Sequence, residues 1–314
     1  MKKSFYFPST DRITKIHSIL WTDDEVRPKA VVQLIHGMVE YIDRYDDFAR
    51  YLCKQGYIVV GNDHLGHGES VTDDEKHGYI AEGNPARVLL QDIHRLRTVI
   101  ETKYPDLPYF MLGHSMGSYL LRRYLSSQGD GLAGAIVMGT GQESNAATSA
   151  GLLLVKSLAK KNGWDYRSEK VQSLTYNANY KKYDMTGSDP SNSWLTKDEA
   201  IVTKYYNDPY CTFMFTLNGY EALFSTVLFC NQGRNINAIP KDLPILIVSG
   251  EDDPVGGLGK GVKSVYAKYV KTGIQDVSCK LFEGDRHEIL NETDRDIVYD
   301  YLKDWLNDHL TKDE

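Results

Sequence analysis

The stretch that decides the fold reads Tyr109-Phe110-Met111-Leu112-Gly113-His114-Ser115-Met116-Gly117. Its first four residues predict a buried strand, and the pattern from Met116 to about Ser127 is typical of a helix. Between them stands Gly-x-Ser-x-Gly. A serine in a sharp strand-to-helix turn has its hydroxyl exposed above the sheet edge, and flanking glycines such as Gly113 and Gly117 let backbone approach closely. This context predicts that Ser115 is a nucleophile.

Strands and helices alternate on both sides of this motif. Further buried strands are predicted at residues 30–35, 57–60 and 132–138, and helices at residues 46–55 and 85–103. This order favours right-handed crossovers and a mainly parallel sheet, hence an α/β fold. Residues 13–21 alternate apolar and polar side chains, which predicts an antiparallel strand with one covered face.

The alternation stops at about residue 141 and resumes near residue 239. The segment 141–238 is rich in Tyr, Asn, Ser and Lys, and its apolar patches are helical, so we predict an inserted helical cap. Residues 1–140 and 239–314 then form the two parts of one α/β core. The second part holds strands at 243–248 and 277–282 and helices near 258–269 and 293–310.

A serine hydroxyl is a weak nucleophile at neutral pH and needs a base. With this topology an acid and then a histidine should follow, each in a loop after a later strand. His287 follows the strand at 277–282, whereas the other late histidine, His309, lies in a terminal helix. The acid follows the strand at 243–248, where Glu251, Asp252 and Asp253 are all candidates.

A tetrahedral intermediate also needs two backbone donors. One is the amide of Met116, directly after the candidate nucleophile. The other should come from the loop after the strand at 30–35, where His36-Gly37-Met38 stands, and we predict the amide of Met38. Gly37 would permit the turn. The alternative interpretation is that His36-Gly37 simply ends the strand.

Composition excludes several other classes of function. The 314 residues carry a net charge of −7 without a basic block, so a nucleic acid is not the expected partner. No apolar run is long enough to span a bilayer or to form a signal-peptide core. The four cysteines are scattered and read as buried or free thiols. A cytoplasmic location is the resulting expectation.

The residues that could suggest a metal or a nucleotide have simpler interpretations. Asp63-His64-Leu65-Gly66-His67-Gly68 lacks a partner cluster elsewhere and predicts a loop hydrogen-bonded around glycine turns. Gly257-Leu258-Gly259-Lys260-Gly261 has neither dinucleotide-binding nor Walker spacing. We therefore expect no metal site and no nucleotide site.

Four ordered motifs together resemble the monoglyceride lipase/lysophospholipase group of α/β-hydrolases, which is also classified with serine aminopeptidases of the proline iminopeptidase type. They are His36-Gly37-Met38-Val39-Glu40-Tyr41 with Arg44-Tyr45, Asp63 to Ser70, Gly113 to Gly117, and Asp285-Arg286-His287-Glu288. The segment from Trp194 to Asp198, continuing to Asn207–Cys211, resembles the cap of bacterial members.

The resemblance implies Ser115 as nucleophile, Asp253 as acid, His287 as base, Met38 and Met116 as oxyanion donors, and no cofactor. The chain departs from the family pattern at Tyr41, where many relatives have His, and at Val39, where Gly is common. Both departures lie beside the oxyanion loop, so they bear on the shape of the pocket more than on the reaction.

Three functions fit these residues. The first is a serine hydrolase that cleaves carboxylic esters of acyl lipids or short-chain esters through an acyl-enzyme. The second is an aminopeptidase, whose substrate ammonium would need a carboxylate such as Glu40, Asp184, Asp198, Glu199 or Glu221. The third is a non-catalytic ligand receptor. Acyl chain length, oligomeric state and transient contact with a lipid surface stay open.

The aromatic residues of the predicted cap have two interpretations. They could line an acyl tunnel, but for any single ring we favour a place in the cap's own core. The rings are Tyr176, Tyr180, Tyr205, Tyr206, Tyr210, Phe213, Phe215, Tyr220 and Phe224.

Overall fold

The computed structural model describes residues 1–176 and 178–310, and its centre is an eight-stranded sheet of order β1-β2-β4-β3-β5-β6-β7-β8. In this order, the six strands β4, β3, β5, β6, β7 and β8 pair in parallel. The strand β2 pairs antiparallel with both β1 and β4. This confirms the predicted, mostly parallel sheet. The strands are β1 (Lys2–Pro8), β2 (Lys15–Trp21), β3 (Ala30–Ile35), β4 (Tyr57–Asn62), β5 (Tyr109–His114), β6 (Gly134–Met138), β7 (Ile245–Gly250) and β8 (Val277–Phe282).

Helices cover both faces of the sheet. Alternate side chains of β5 enter different cores: Met111 packs in the core on one face, and Phe110 and Leu112 pack in the core on the other. Burial on both faces explains why these strands read as continuous apolar runs. The helices are α1 (Asp46–Lys54), α2 (Pro85–Lys103), α3 (Met116–Gln128), α4 (Asn145–Asn162), α5 (Glu169–Thr175), α6 (Glu199–Asn207), α7 (Leu217–Cys230), α8 (Gly233–Asn237), α9 (Lys260–Lys271) and α10 (Arg295–Asp308).

The parallel register places the chemistry-bearing loops at one edge. Gly113 pairs with Ile35, His114 with Met138, and Met138 with Val248, so the carboxyl ends of four adjacent strands are level. The loops that follow β3, β5, β7 and β8 carry Met38, Ser115, Asp253 and His287. Open α/β sheets place their sites at this edge.

The helices α4 to α8 all lie between β6 and β7. In this insertion α4 packs on α7, and α7 packs in turn on α2 and α3 of the core. The predicted helices near Leu152, Thr196 and Tyr220 correspond to α4, α6 and α7, whereas the short helices α5 and α8 had no clear signal. Within the described ranges, no helix is both long and apolar enough to cross a membrane.

Two strands differ from the sequence-based expectation. The N-terminal strand β1 was not predicted, because Lys2, Lys3 and Ser4 are polar and exposed at the edge of the sheet. In β2 every residue from Ile16 to Trp21 is buried, so the expectation of a single covered face was wrong. His17 and Ser18 are polar but buried, so the sequence of β2 has the pattern of an amphipathic strand although both of its faces are covered.

Candidate active site

Ser115 stands in a strained turn between β5 and α3. Its φ is +53° and its ψ is −120°, a conformation that costs free energy for a residue with a side chain. The turn is tight because Gly117 lies against β3: an added Cβ would come within 2.0 Å of the Ile35 carbonyl oxygen. An added Cβ at Gly113 would likewise come within 2.4 Å of the Gly117 carbonyl oxygen. Ser115 is partly exposed on the wall of a cavity, while its neighbours are buried.

Asp253 and His287 form a hydrogen-bonded pair. Both carboxylate oxygens lie 3.0 Å from His287 Nδ1, and Asp253 is fully buried. The Ser249 hydroxyl and the Val255 amide each donate to the carboxylate at 2.8 Å. Burial acts to raise the pKa of Asp253, but the charge and hydrogen bond of His287 outweigh it, so the pKa lies below its usual value. The carboxylate is therefore ionised at neutral pH.

His287 and Ser115 line the same cavity. Within residues 1–176 and 178–310, no hydrogen bond of 3.5 Å or less joins their side chains. Hydrogen bonds of this kind are often long without substrate and tighten in the reacting complex. The structure thus brings the three predicted residues to one edge of the sheet, with the Asp253–His287 contact formed.

The indole of Trp194 covers the imidazole of His287. The ring centroids are 5.1 Å apart with an interplanar angle of 28°, and the His287 amide donates to the Trp194 carbonyl at 3.4 Å. The ring of His114 lies 4.7 Å from the same imidazole. Sequence reasoning did not assign a role to Trp194, and its only signal was its place in the cap segment that resembles bacterial relatives.

The predicted oxyanion donors are the amides of Met38 and Met116, two residues that line the cavity with Ser115. Met116 is the first residue of α3, so its amide has no partner within the helix. Met38 follows Gly37, where an added Cβ would lie 3.0 Å from Ser115 Cβ and 2.6 Å from a Glu40 carboxylate oxygen. This close approach requires glycine at position 37, and both methionines line the cavity.

Val39 has an unusual backbone. Its φ is +57°, in the left-handed region that β-branched residues rarely adopt. Its carbonyl accepts a hydrogen bond of 3.2 Å from the Tyr205 hydroxyl, and the neighbouring Tyr41 hydroxyl donates to Asp208 at 2.8 Å. The two positions that depart from the family pattern therefore connect the loop after β3 to the insertion.

A buried charge network borders the site. Arg44 donates to both oxygens of Glu288 at 2.7 Å and to Glu40 at 2.9 Å. Glu40 also lies 3.1 Å from His114 Nδ1 and accepts from the Tyr45 hydroxyl. Burial alone would raise the pKa of Glu40 and of Glu288, but His114 and Arg44 lower the first and Arg44 lowers the second.

His114 connects this network to the candidate base. Burial disfavours its charged form, but the hydrogen bond and charge of Glu40 outweigh burial and raise the pKa of His114. Its Nε2 lies 3.2 Å from the backbone oxygen of His287. The network therefore also holds the backbone of His287.

The loop of residues 63–68 has the predicted structural role. The His64 amide donates to His36 Nε2 at 2.9 Å, and His64 Nε2 lies 3.1 Å from the His36 carbonyl oxygen. Burial lowers the pKa of His64 to about 4 and that of His67 to about 3, so both are neutral. These contacts fasten His36, and with it the loop that carries Met38, to the strand edge.

A cavity of about 830 Å³ opens over Ser115 and His287. Eight of the nine aromatic residues named for the insertion lie on its wall, Tyr210 being the exception. The core role that we favoured for any single ring also holds for several of them, since Phe215 and Tyr220 belong to the hydrophobic core and Phe213 and Phe224 pack against it. Periodicity does not distinguish a core position from a cavity wall.

The carboxylates proposed for an ammonium site mostly have other partners. Glu40 belongs to the buried network, Asp198 caps α6 and pairs with Arg295, and Asp184 accepts from Thr186. Glu199 and Glu221 do not line the cavity. Glu143, which we had not singled out, does line it.

One acidic cluster has the spacing of metal ligands. Oxygens of Asp285, Glu292 and Asp294 lie close together, the single such group in the described part of the chain. The ammonium of Lys197 stands among them, 2.7 Å from Asp285 and 3.8 Å from the other two. A lysine already supplies the positive charge that these carboxylates attract.

The sequence matches known proteins over most of its length. The model of the family described as serine aminopeptidase, S33, matches residues 26–294. The monoacylglycerol lipase of Mycolicibacterium smegmatis is 28% identical, over 93% of this chain and 92% of its own. The monoglyceride lipase of Mus musculus is 27% identical, over 84% of this chain and 77% of its own.

Solved structures agree with these matches. A highly thermostable carboxyl esterase from Bacillus coagulans, in complex with glycerol, has a TM-score of 0.90 and 29% identity, with 99% of each chain covered. A soluble variant of monoglyceride lipase from Saccharomyces cerevisiae has a TM-score of 0.77 and 22% identity, covering 100% of this chain and 96% of its own. The second shows the likeness of fold.

Proposed function

The chain belongs to the family described as serine aminopeptidase, S33, and from this membership we propose that it is a serine hydrolase that cleaves carboxylic esters of acyl lipids, such as monoacylglycerols or lysophospholipids, through an acyl-enzyme. The observation that carries the proposal is the Asp253–His287 pair on the same cavity wall as the strained Ser115. Relatives named monoacylglycerol lipase and monoglyceride lipase support the class of substrate.

Each catalytic residue has a defined role in this mechanism. The Ser115 oxygen attacks the ester carbonyl while His287 Nε2 takes the hydroxyl proton, and the amides of Met38 and Met116 stabilise the oxyanion. His287 then gives the proton to the leaving alcohol. A water molecule attacks the acyl-enzyme in the same way, which releases the acid and restores Ser115. The Asp253 carboxylate holds the imidazole orientation throughout.

Residues 141–238 act as a cap in this proposal. The insertion supplies the aromatic wall of the cavity, where an acyl chain can be buried with a gain of about 0.8 kcal/mol per CH₂ group. Contact with a lipid surface stays a prediction, for which the exposed Leu153, Trp164 and Leu174 of this segment are suitable. A cytoplasmic location also stays a prediction, which the four free cysteines favour.

The test is a side-by-side assay of the wild-type enzyme. We expect turnover of monoacylglycerols and p-nitrophenyl esters, and much weaker turnover of prolyl and alanyl arylamides. Efficient cleavage of the arylamides with inert esters would support the aminopeptidase instead. An inert protein on every substrate would support the receptor.

A further inference from the structure

Glu143 is an uncompensated carboxylate on the cavity wall. Three glutamates line the cavity, and two of them, Glu40 and Glu288, are paired with Arg44. The side chain of Glu143 has neither a hydrogen bond nor an ion pair with any residue in 1–176 or 178–310. Its backbone is fixed, since its carbonyl accepts from Asn231 Nδ2 at 3.0 Å and Ser144 caps α4.

Glu143 lies on the cavity wall together with Tyr119 and Tyr180. Its charge adds to burial in raising the pKa of Tyr119 and of Tyr180, and both of these residues lie on the cavity wall. Burial alone raises the pKa of Glu143, with no cation to oppose it. The adjoining wall from α4 and α7 is apolar and includes Ala147 and Val227.

We propose that Glu143 is a specificity-determining residue that accepts a hydrogen bond from a hydroxyl on the alcohol part of the substrate. This inference rests on the proposed function and names the end of the substrate that the site recognises. The partly buried carboxylate of Glu143 has no protein donor and loses hydration when a substrate fills the cavity, and a substrate hydroxyl replaces the lost water. An alkyl chain would desolvate the carboxylate further, so the acyl chain occupies the aromatic part of the cavity.

The experiment compares two esters of one acyl chain. The substrates are 1-octanoylglycerol, which has free hydroxyls, and ethyl octanoate, which has none. In Glu143→Leu we expect kcat/KM to fall about tenfold or more for octanoylglycerol, since a hydrogen bond to a charged group is lost. For ethyl octanoate we expect a change within about threefold, or a gain, because the apolar surface grows. Glu143→Gln keeps the volume and an acceptor oxygen, and its loss should be smaller.

Glu221→Leu is the matched control. Glu221 is also a carboxyl of the insertion whose pKa is raised by burial, and it does not line the cavity. It should leave the ratio of the two kcat/KM values unchanged. Thermal melts show whether each variant is folded, and if Glu143→Leu is not, Glu143→Gln decides the question.

The outcomes separate this inference from the proposed function. Equal effects on both esters, or no effect on either, would overturn the role of Glu143 while leaving the hydrolase intact. Loss of an alanyl arylamide activity in Glu143→Leu would overturn it too, because Glu143 would then hold an ammonium. A wild-type enzyme that cleaves neither ester would overturn the proposed function itself.

Discussion

Trp194 lies nearly parallel to the imidazole of His287, with ring centroids 5.1 Å apart, and accepts its backbone N–H. The two residues belong to different parts of the chain, the insertion and the loop after β8. Other contacts join the same segments, since the Glu288 amide donates to the Leu195 carbonyl at 2.7 Å and Arg286 donates to the Ser193 carbonyl. The insertion therefore holds the candidate base in place as well as covering the cavity.

Replacing Trp194 should impair turnover more than binding. We expect Trp194→Leu to lower kcat about tenfold or more with a smaller change in KM, because a loosely held imidazole loses its alignment with Ser115. Trp194→Phe keeps an aromatic face and should retain most of the activity. Steady-state kinetics on a p-nitrophenyl ester measure both constants. An effect on KM alone would mean that Trp194 only contacts substrate.

Arg44 should be essential for stability at neutral pH. Arg44→Met leaves Glu40 and Glu288 buried without their cation, so we expect a loss of roughly 3–5 kcal/mol in the free energy of unfolding. The exposed Arg50, which pairs with Asp46, is the control, and Arg50→Met should cost about 1 kcal/mol or less. Urea unfolding measures both values.

The penalty of Arg44→Met should shrink in acid. Both glutamates have folded pKa values below their usual range, so in the wild type their stabilisation is present at neutral pH. It is lost as the pH falls below about 4.3, the ordinary value for Glu, toward the folded values. Without Arg44, burial raises the pKa of Glu288, whereas His114 still opposes burial at Glu40, and protonation of Glu288 then relieves the variant. A gap that stays constant from pH 7 to pH 4 would contradict this electrostatic account.

The backbone of Val39 is a site where glycine should be tolerated or favoured. A non-glycine residue at φ +57° costs about 1–2 kcal/mol, and glycine loses about 0.5–1 kcal/mol in chain entropy. We expect Val39→Gly to leave the free energy of unfolding unchanged or to raise it by up to about 1 kcal/mol. Val99→Gly, on the exposed face of α2, should lower it by about 0.5 kcal/mol. Equal losses in both variants would show that Val39 is not strained.

Short-range signals were sufficient for the parallel strands and for the edge at which the loops meet. The apolar runs of β3, β5 and β7 are buried on both faces and are recognisable as strands. Parallel strands have their carboxyl ends at the same edge of the sheet, whatever the conformation of the loops that follow. The turn at Ser115 could be predicted because Gly-x-Ser-x-Gly, with a strand before it and a helix after it, is a local sequence pattern.

Contacts between distant segments could not be predicted. Arg44 and Glu288 are 244 residues apart, and no sequence pattern around either residue indicates that they are in contact. The stacking of Trp194 on His287 depends on how the insertion packs against the core, and the periodicity of apolar residues does not predict this packing. For Tyr180 and Phe215, the sequence pattern is the same whether the ring packs against other side chains or lines a cavity.

The most direct test of the central claim is labelling with a fluorophosphonate followed by peptide mass spectrometry. We predict one adduct, on the peptide that contains Ser115, and none in Ser115→Ala, whose kcat for a p-nitrophenyl ester should fall roughly 10³-fold or more while its thermal melt is retained. A wild-type protein that cleaves esters without labelling at Ser115, or a Ser115→Ala variant with full activity, would contradict the account.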